Sequence, residues 1–76
     1  MEIVLSYYDD DQQVIDGYPE SEDSYTINDD ELSGFIENAK QWVSRYGSAV
    51  TIYNKTNKKM AWKHPNFDKI IDNYFG

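Results

Sequence analysis

The sequence predicts a small α+β domain of order ββαββα, with a central helix (about 29–46) and a short C-terminal helix (about 66–75) packed on one face of an antiparallel sheet. Two kinds of pattern carry that expectation. Residues 2–8, 49–53 and 59–63 are short runs rich in β-branched and aromatic residues, bounded by turn formers. Residues 27–47 and 65–75 instead space their apolar side chains by three and four, the interval that lines one face of an α-helix.

In the first strand Ile3, Leu5 and Tyr7 alternate with Glu2, Val4, Ser6 and Tyr8. Asp9, Asp10 and Asp11 break it, because aspartate disfavours strands and bonds its own backbone in turns. A hairpin is expected to follow, with its second strand over residues 12–18, Val14 and Ile15 at the centre and Gly17 weakening the far end. Residues 19–23, PESED, have the composition of a solvated loop, and residues 24–27 run extended into the central helix.

The central helix has the best-specified start. Asn28 and Glu31 have the spacing of a capping box, and Ile27 with Leu32 that of a hydrophobic staple. Asp29, Asp30 and Glu31 suit the positive end of the helix dipole, Arg45 suits the negative end, and Gly47 is expected to close the helix in the left-handed conformation. The buried stripe reads Leu32, Phe35, Ile36, Ala39, Trp42, Val43 and Tyr46. Strands three and four form a hairpin around the polar turn NKTNK, with Met60 and Trp62 expected on one side. His64-Pro65 stops the last strand, and Phe67, Ile70, Ile71 and Tyr74 form the stripe of the final helix.

A chain of 76 residues is one domain with a compact core, for which aromatic residues, 16% of the total, are the natural filling. It has no cysteine, which excludes disulfide scaffolds and thiolate chemistry and fits a reducing compartment. Neither a signal peptide nor a membrane span is legible, so a cytoplasmic location without membrane contact is expected.

The net charge of −7 conceals a segregation: the residues before Lys40 include 12 acidic and no basic side chains, whereas from Lys40 onward there are 7 basic and 2 acidic. Such asymmetry points to a charged partner, although the two halves could equally neutralise one another across the fold.

The expected chemistry is non-enzymatic, without metal or cofactor. A calcium loop starting at Asp9 would need glycine at its sixth place, where Val14 stands. His64 is the single histidine and there is no glycine-rich phosphate loop. Asn54-Lys55-Thr56 fits a glycosylation sequon, which carries little weight without a secretory signal. The lysines of residues 55–63, interleaved with Tyr53 and Trp62, offer a nucleic-acid contact, opposed by the net negative charge.

Asp9, Asp10, Asp11, Asp16, Glu20, Glu22 and Asp23 offer the mirror image, with Tyr8, Tyr18 and Tyr25 as interface anchors if exposed. Small size, low pI, abundant carboxylates and no catalytic motif make the chain similar in class to phage-encoded DNA mimics that inhibit restriction, CRISPR or DNA-repair enzymes. The resemblance covers the composition of residues 2–37 and no motif. The outer helix face, Asp30, Ser33, Gly34, Glu37, Gln41 and Ser44, departs from it, as does the basic second half. It implies an inhibitor that sets carboxylates against a basic, nucleic-acid-handling site on a partner protein. The alternatives are an immunity-type or accessory module bound through apolar and aromatic surface, a solvated acidic face serving only solubility, and a nucleic-acid-binding lysine hairpin.

Overall fold

The computed structural model describes residues 1–76, apart from the side chains of residues 44, 45 and 46. The predicted places of Tyr46 in the buried stripe and of Arg45 at the dipole end therefore fall outside the described residues. The elements run β1 (Glu2–Tyr8), α1 (Asp11–Asp16), β2 (Ser21–Thr26), a 3-10 turn (Asp29–Glu31), α2 (Leu32–Tyr46), β3 (Ala49–Asn54), β4 (Lys59–Lys63) and α3 (Pro65–Phe75). The strands form one antiparallel sheet in the order β2-β1-β3-β4. No helix among the described residues is long and apolar enough to cross a membrane.

The α+β class, the antiparallel sheet and its two hosting helices are as the sequence predicts. The second strand is not where it was expected. Residues 11–16 are a helix: Asp10 accepts from the Gln13 N–H at 2.9 Å as its N-cap, and Gly17, at φ 70°, closes it in the left-handed conformation. The strand that pairs with β1 begins inside the acidic segment expected to be a loop. It tolerates Glu22, Asp23 and Ser24 because it is an edge strand with exposed side chains and little apolar surface to bury.

Alternation along the strands sorts the core into two clusters. Ile3, Val50 and Ile52 pack with Ile27, Ala39 and Val43, and Leu5, Tyr7, Leu32, Phe35, Ile36 and Trp62 lean on them. This is the face covered by α2. Neighbours of opposite parity, Tyr8 and Ala49, pack instead with Val14 of α1 and with Phe67, Ile70 and Ile71 of α3. The helices thus flank the sheet on two sides rather than sharing one. Val50 and Ile52, fully buried in the central β3, belong to the larger cluster.

Two details correct the expected register. Trp62 is opposite Ile52 and Met60 opposite Tyr53, so Ala61 is an extra residue between them and the two side chains point to opposite faces. Gly47 is extended, not left-handed; its requirement is steric, since a Cβ there would overlap the Tyr7 ring. At the start of α2 the staple residues Ile27 and Leu32 join the same cluster, and Glu31 accepts from the Asn28 N–H at 3.2 Å.

Candidate functional site: an acidic sheet edge with an aromatic groove

The strand order sets the carboxylates of β2 across the sheet from the lysines of β4, while α1, with Asp11 and Asp16, packs against α3. Glu22 and Asp23 lie on β2, whereas Lys59 and Lys63 lie on β4, three strand spacings or roughly 14 Å away. The ion pairs among the described residues are Lys40–Glu37 at 3.2 Å and Lys63–Asp68 at 2.9 Å. Neither involves Asp9, Asp10, Asp11, Asp16, Glu20, Glu22 or Asp23, all of which are exposed. One lysine, Lys55, approaches the acidic half near Glu2, at the far end of the strands from Glu20.

Gln13, a residue with no assigned role in the sequence reading, organises the acidic end. Its side chain accepts from the Asp9 N–H at 2.7 Å and donates to Glu20 Oε2 at 2.7 Å, so one amide ties the loop before α1 to the residue before β2. Gln12 likewise donates to Asp16 Oδ1 at 3.0 Å, and Tyr7 donates its hydroxyl to Asp9 Oδ1 at 3.0 Å. The Tyr7 phenol is pushed above its ordinary pKa, first by burial, then by the hydrogen bond to Asp9 and the charges of Asp9 and Glu20.

Of the tyrosines proposed as anchors, the structure sets Tyr8 apart. It is 8% exposed and meets Phe67 edge-on at 5.5 Å, because alternation along β1 turns it toward α1 and α3. Tyr18 is 78% exposed beyond the end of α1. Tyr25, 40% exposed, belongs to a distinct feature, a groove of about 480 Å³ between β2 and α2. Leu5 forms the floor of this groove, with Tyr25 on the strand side and Phe35, Asn38, Ala39 and Trp42 on the helix side.

Two ring pairs brace the groove: Tyr25 edge-on to Phe35 at 5.2 Å, and Tyr7 tilted against Trp42 at 4.6 Å. Trp42 remains 39% exposed. Asp23 stands on the same face, opposite Leu5. The sequence reading assigned Phe35 and Trp42 to the buried stripe. The missing signal was the composition of β2: on this face SEDSYT offers Ser21, Asp23 and Tyr25, too little apolar surface to cover a helix stripe that wide.

The basic end is less suited to a base-stacking platform. Trp62 packs in the α2 cluster while Tyr53 faces the other side, so the two rings expected to interleave with the lysines do not share a face. His64 is used locally: its Nδ1 accepts from the Asn66 N–H at 3.0 Å, capping α3. Burial, then the charges of Lys40 and Lys69, hold its pKa below the ordinary imidazole value. No group of three or more histidines, cysteines or acidic residues among the described residues is arranged to hold a metal ion. No protein family, curated protein or solved structure matches the chain.

Proposed function

We propose that this chain is a binding protein that sets the acidic β2 side of its sheet, with Tyr18 and Tyr25, against a basic site on a partner protein that handles nucleic acid, and blocks that site. The observation that supports the reading is spatial: the carboxylates of residues 9–23 are exposed and carry no ion pair among the described residues, and those of β2 lie across the sheet from the lysines of β4. Folding thus leaves these carboxylates available to a partner, with Lys55 approaching at the Glu2 end of the strands. Carboxylates there stand in for the phosphates that the partner would otherwise hold, and no chemistry of the chain's own is required. Long-range attraction of this kind acts mainly on the association rate and is screened within roughly 8 Å at physiological salt.

The test is competition. A panel of purified basic nucleic-acid-binding proteins, each holding labelled duplex DNA, is titrated with the chain at low and high salt. Release of DNA from at least one of them, weakened about tenfold or more by raised salt, is the expected result. The triple variant Glu20→Gln, Glu22→Gln, Asp23→Asn should lose that release. Affinity that ignores both salt and neutralisation would overturn the electrostatic reading and favour attachment through the aromatic groove, where Trp42→Ala would then abolish binding. A mobility shift of DNA or RNA by the chain alone would favour the lysine hairpin instead.

A further inference from the structure

The free edge of β2 has a hydrogen-bonding phase that can be read from its inner side. Met1 and Ile27 exchange both backbone bonds, the Ile27 N–H donating to Met1 O at 2.9 Å and the Met1 amino group to Ile27 O at 2.6 Å. In an antiparallel ladder such pairs alternate, so Tyr25, Asp23 and Ser21 turn their N–H and C=O groups toward β1. Glu22, Ser24 and Thr26 therefore turn theirs outward, where the sheet order places no further strand.

Two of the features that blunt an edge are missing here, since β2 contains no proline or lysine and its pairing with β1 runs without a register shift; its guard is charge, Glu22 on one face and Asp23 on the other. Its carboxylates repel a second copy of the same edge, yet they attract a strand of opposite charge. On the α2 side the same edge borders the groove of Leu5, Tyr25, Phe35 and Trp42. On the other side lies Glu22, opposite Ser6, with Lys55 beside Ser24 and Thr26 toward the far end of the strand.

We propose that the partner is held by strand addition: an extended segment with alternating basic and apolar residues pairs with β2 through the outward groups of Glu22, Ser24 and Thr26, its apolar side chains entering the aromatic groove and its basic ones facing Glu22 and its neighbours. This deepens the reading above and rests on it for the sign of the partner's charge. Backbone bonds supply sequence-independent affinity, while the alternation of side chains supplies the preference for a basic–apolar pattern.

The probe is a labelled peptide of alternating lysine and leucine, about eight residues long, the length of an ordinary strand. Two further versions are N-methylated on every second residue, one on the lysines and one on the leucines. Strand addition requires that methylation of the lysines, which stand opposite Glu22, Ser24 and Thr26, weaken binding about tenfold or more while methylation of the leucines is tolerated, and the reverse pattern overturns it. On saturation with the unmodified peptide, the amides of Glu22, Ser24 and Thr26 should slow in hydrogen exchange by about tenfold or more. Ser24→Pro, which removes an outward N–H and no ladder bond, should weaken the peptide by a similar factor.

Failure to bind the peptide, equal binding of both methylated phases, or unchanged exchange at the three amides overturns strand addition. If the glutamine and asparagine triple variant nonetheless loses salt-sensitive partner binding, the acidic-surface reading stands and only its mode is wrong. If the phase dependence holds but neutralisation has no effect, the acidic reading fails and the edge remains. Protection of the same amides by concentration alone, without peptide, would assign the edge to a second copy of this chain and overturn the proposal.

Discussion

The two edges of the sheet are built from opposite charges, and they are finished differently. At β4 the ladder is interrupted by the extra residue Ala61, Lys59 and Lys63 stand on the strand, and Lys63 reaches across to Asp68 of α3 at 2.9 Å with Phe67 beneath it at 5.8 Å. Bulge, lysine and a tethered helix are all devices that discourage another strand from pairing. At β2 the register is unbroken, every residue after Ser21 is exposed, and the carboxylates carry no ion pair among the described residues. The difference teaches that the fold closes one edge to any strand and closes the other mainly to strands of its own sign.

The strongest way to break this comparison is to ask whether the edges share one core. Ile52, fully buried, sits in β3 between Leu5 and Trp62, so Ile52→Ala should cost about 2–5 kcal/mol in urea unfolding. Amides of β2 and β4 should lose protection together; an edge that melts alone would show that the two are independent units.

A smaller test uses the turns that deliver each edge. Gly17, before β2, has φ 70°, and Lys58, before β4, has φ 56°. The left-handed conformation suits the first residue and strains the second. Gly17→Ala should therefore destabilise by about 1 kcal/mol, and Lys58→Gly should stabilise by up to about 1 kcal/mol, both read as shifts of the urea midpoint.

The smallest effect belongs to His64, at the end of β4. Its folded pKa lies below the ordinary 6.5, so its contribution to stability is complete above that pH and is lost as the pH falls through the folded value. Protonation also removes the acceptor that caps α3 through Asn66. Hydrogen exchange should show the acid-dependent loss in α3, absent from β2, and His64→Asn should abolish the pH dependence while preserving a cap. Tyr7 acts on the other side and at the other extreme. Its raised pKa favours the neutral phenol, so its contribution is complete below pH 10.0 and is lost as the pH rises through the folded value.

The elements with several concordant local signals were legible in the sequence. The staple of Ile27 and Leu32, the Glu31 half of the cap and the three-four stripe located α2, while Pro65 and the spacing of Phe67, Ile70 and Ile71 located α3. Residues 11–26 were misread because two neighbouring apolar residues, Val14 and Ile15, fit either a strand or a single helical turn. Asp10 with Gln13 three places later, and Gly17 after the last helical residue, were the decisive signals, and they are capping signals rather than periodic ones. An exposed edge strand has few hydrophobic contacts to satisfy, so SEDSYT left no alternation to detect.

Of the candidate site, the carboxylates were legible as a run along the chain, and the place of Asp23 on the same face as Tyr25 was not. Tyr8 lay one step from Tyr7 in sequence yet on the other side of the sheet, because it falls at the buried parity of β1. Ring size and polarity alone could not assign it.

The sequence by itself determined the class of fold, the central and C-terminal helices, three of the strands and the division of charge along the chain, since each follows from interactions within a few residues. Only the tertiary structure decided that Glu22 and Asp23 stand across the sheet from Lys59 and Lys63, and that α2 leaves a groove beside β2. Both depend on strand order and on which parity meets which helix. Those are settled by contacts between residues far apart in the chain, where the burial of Ile3, Val50 and Ile52 outweighs local preference.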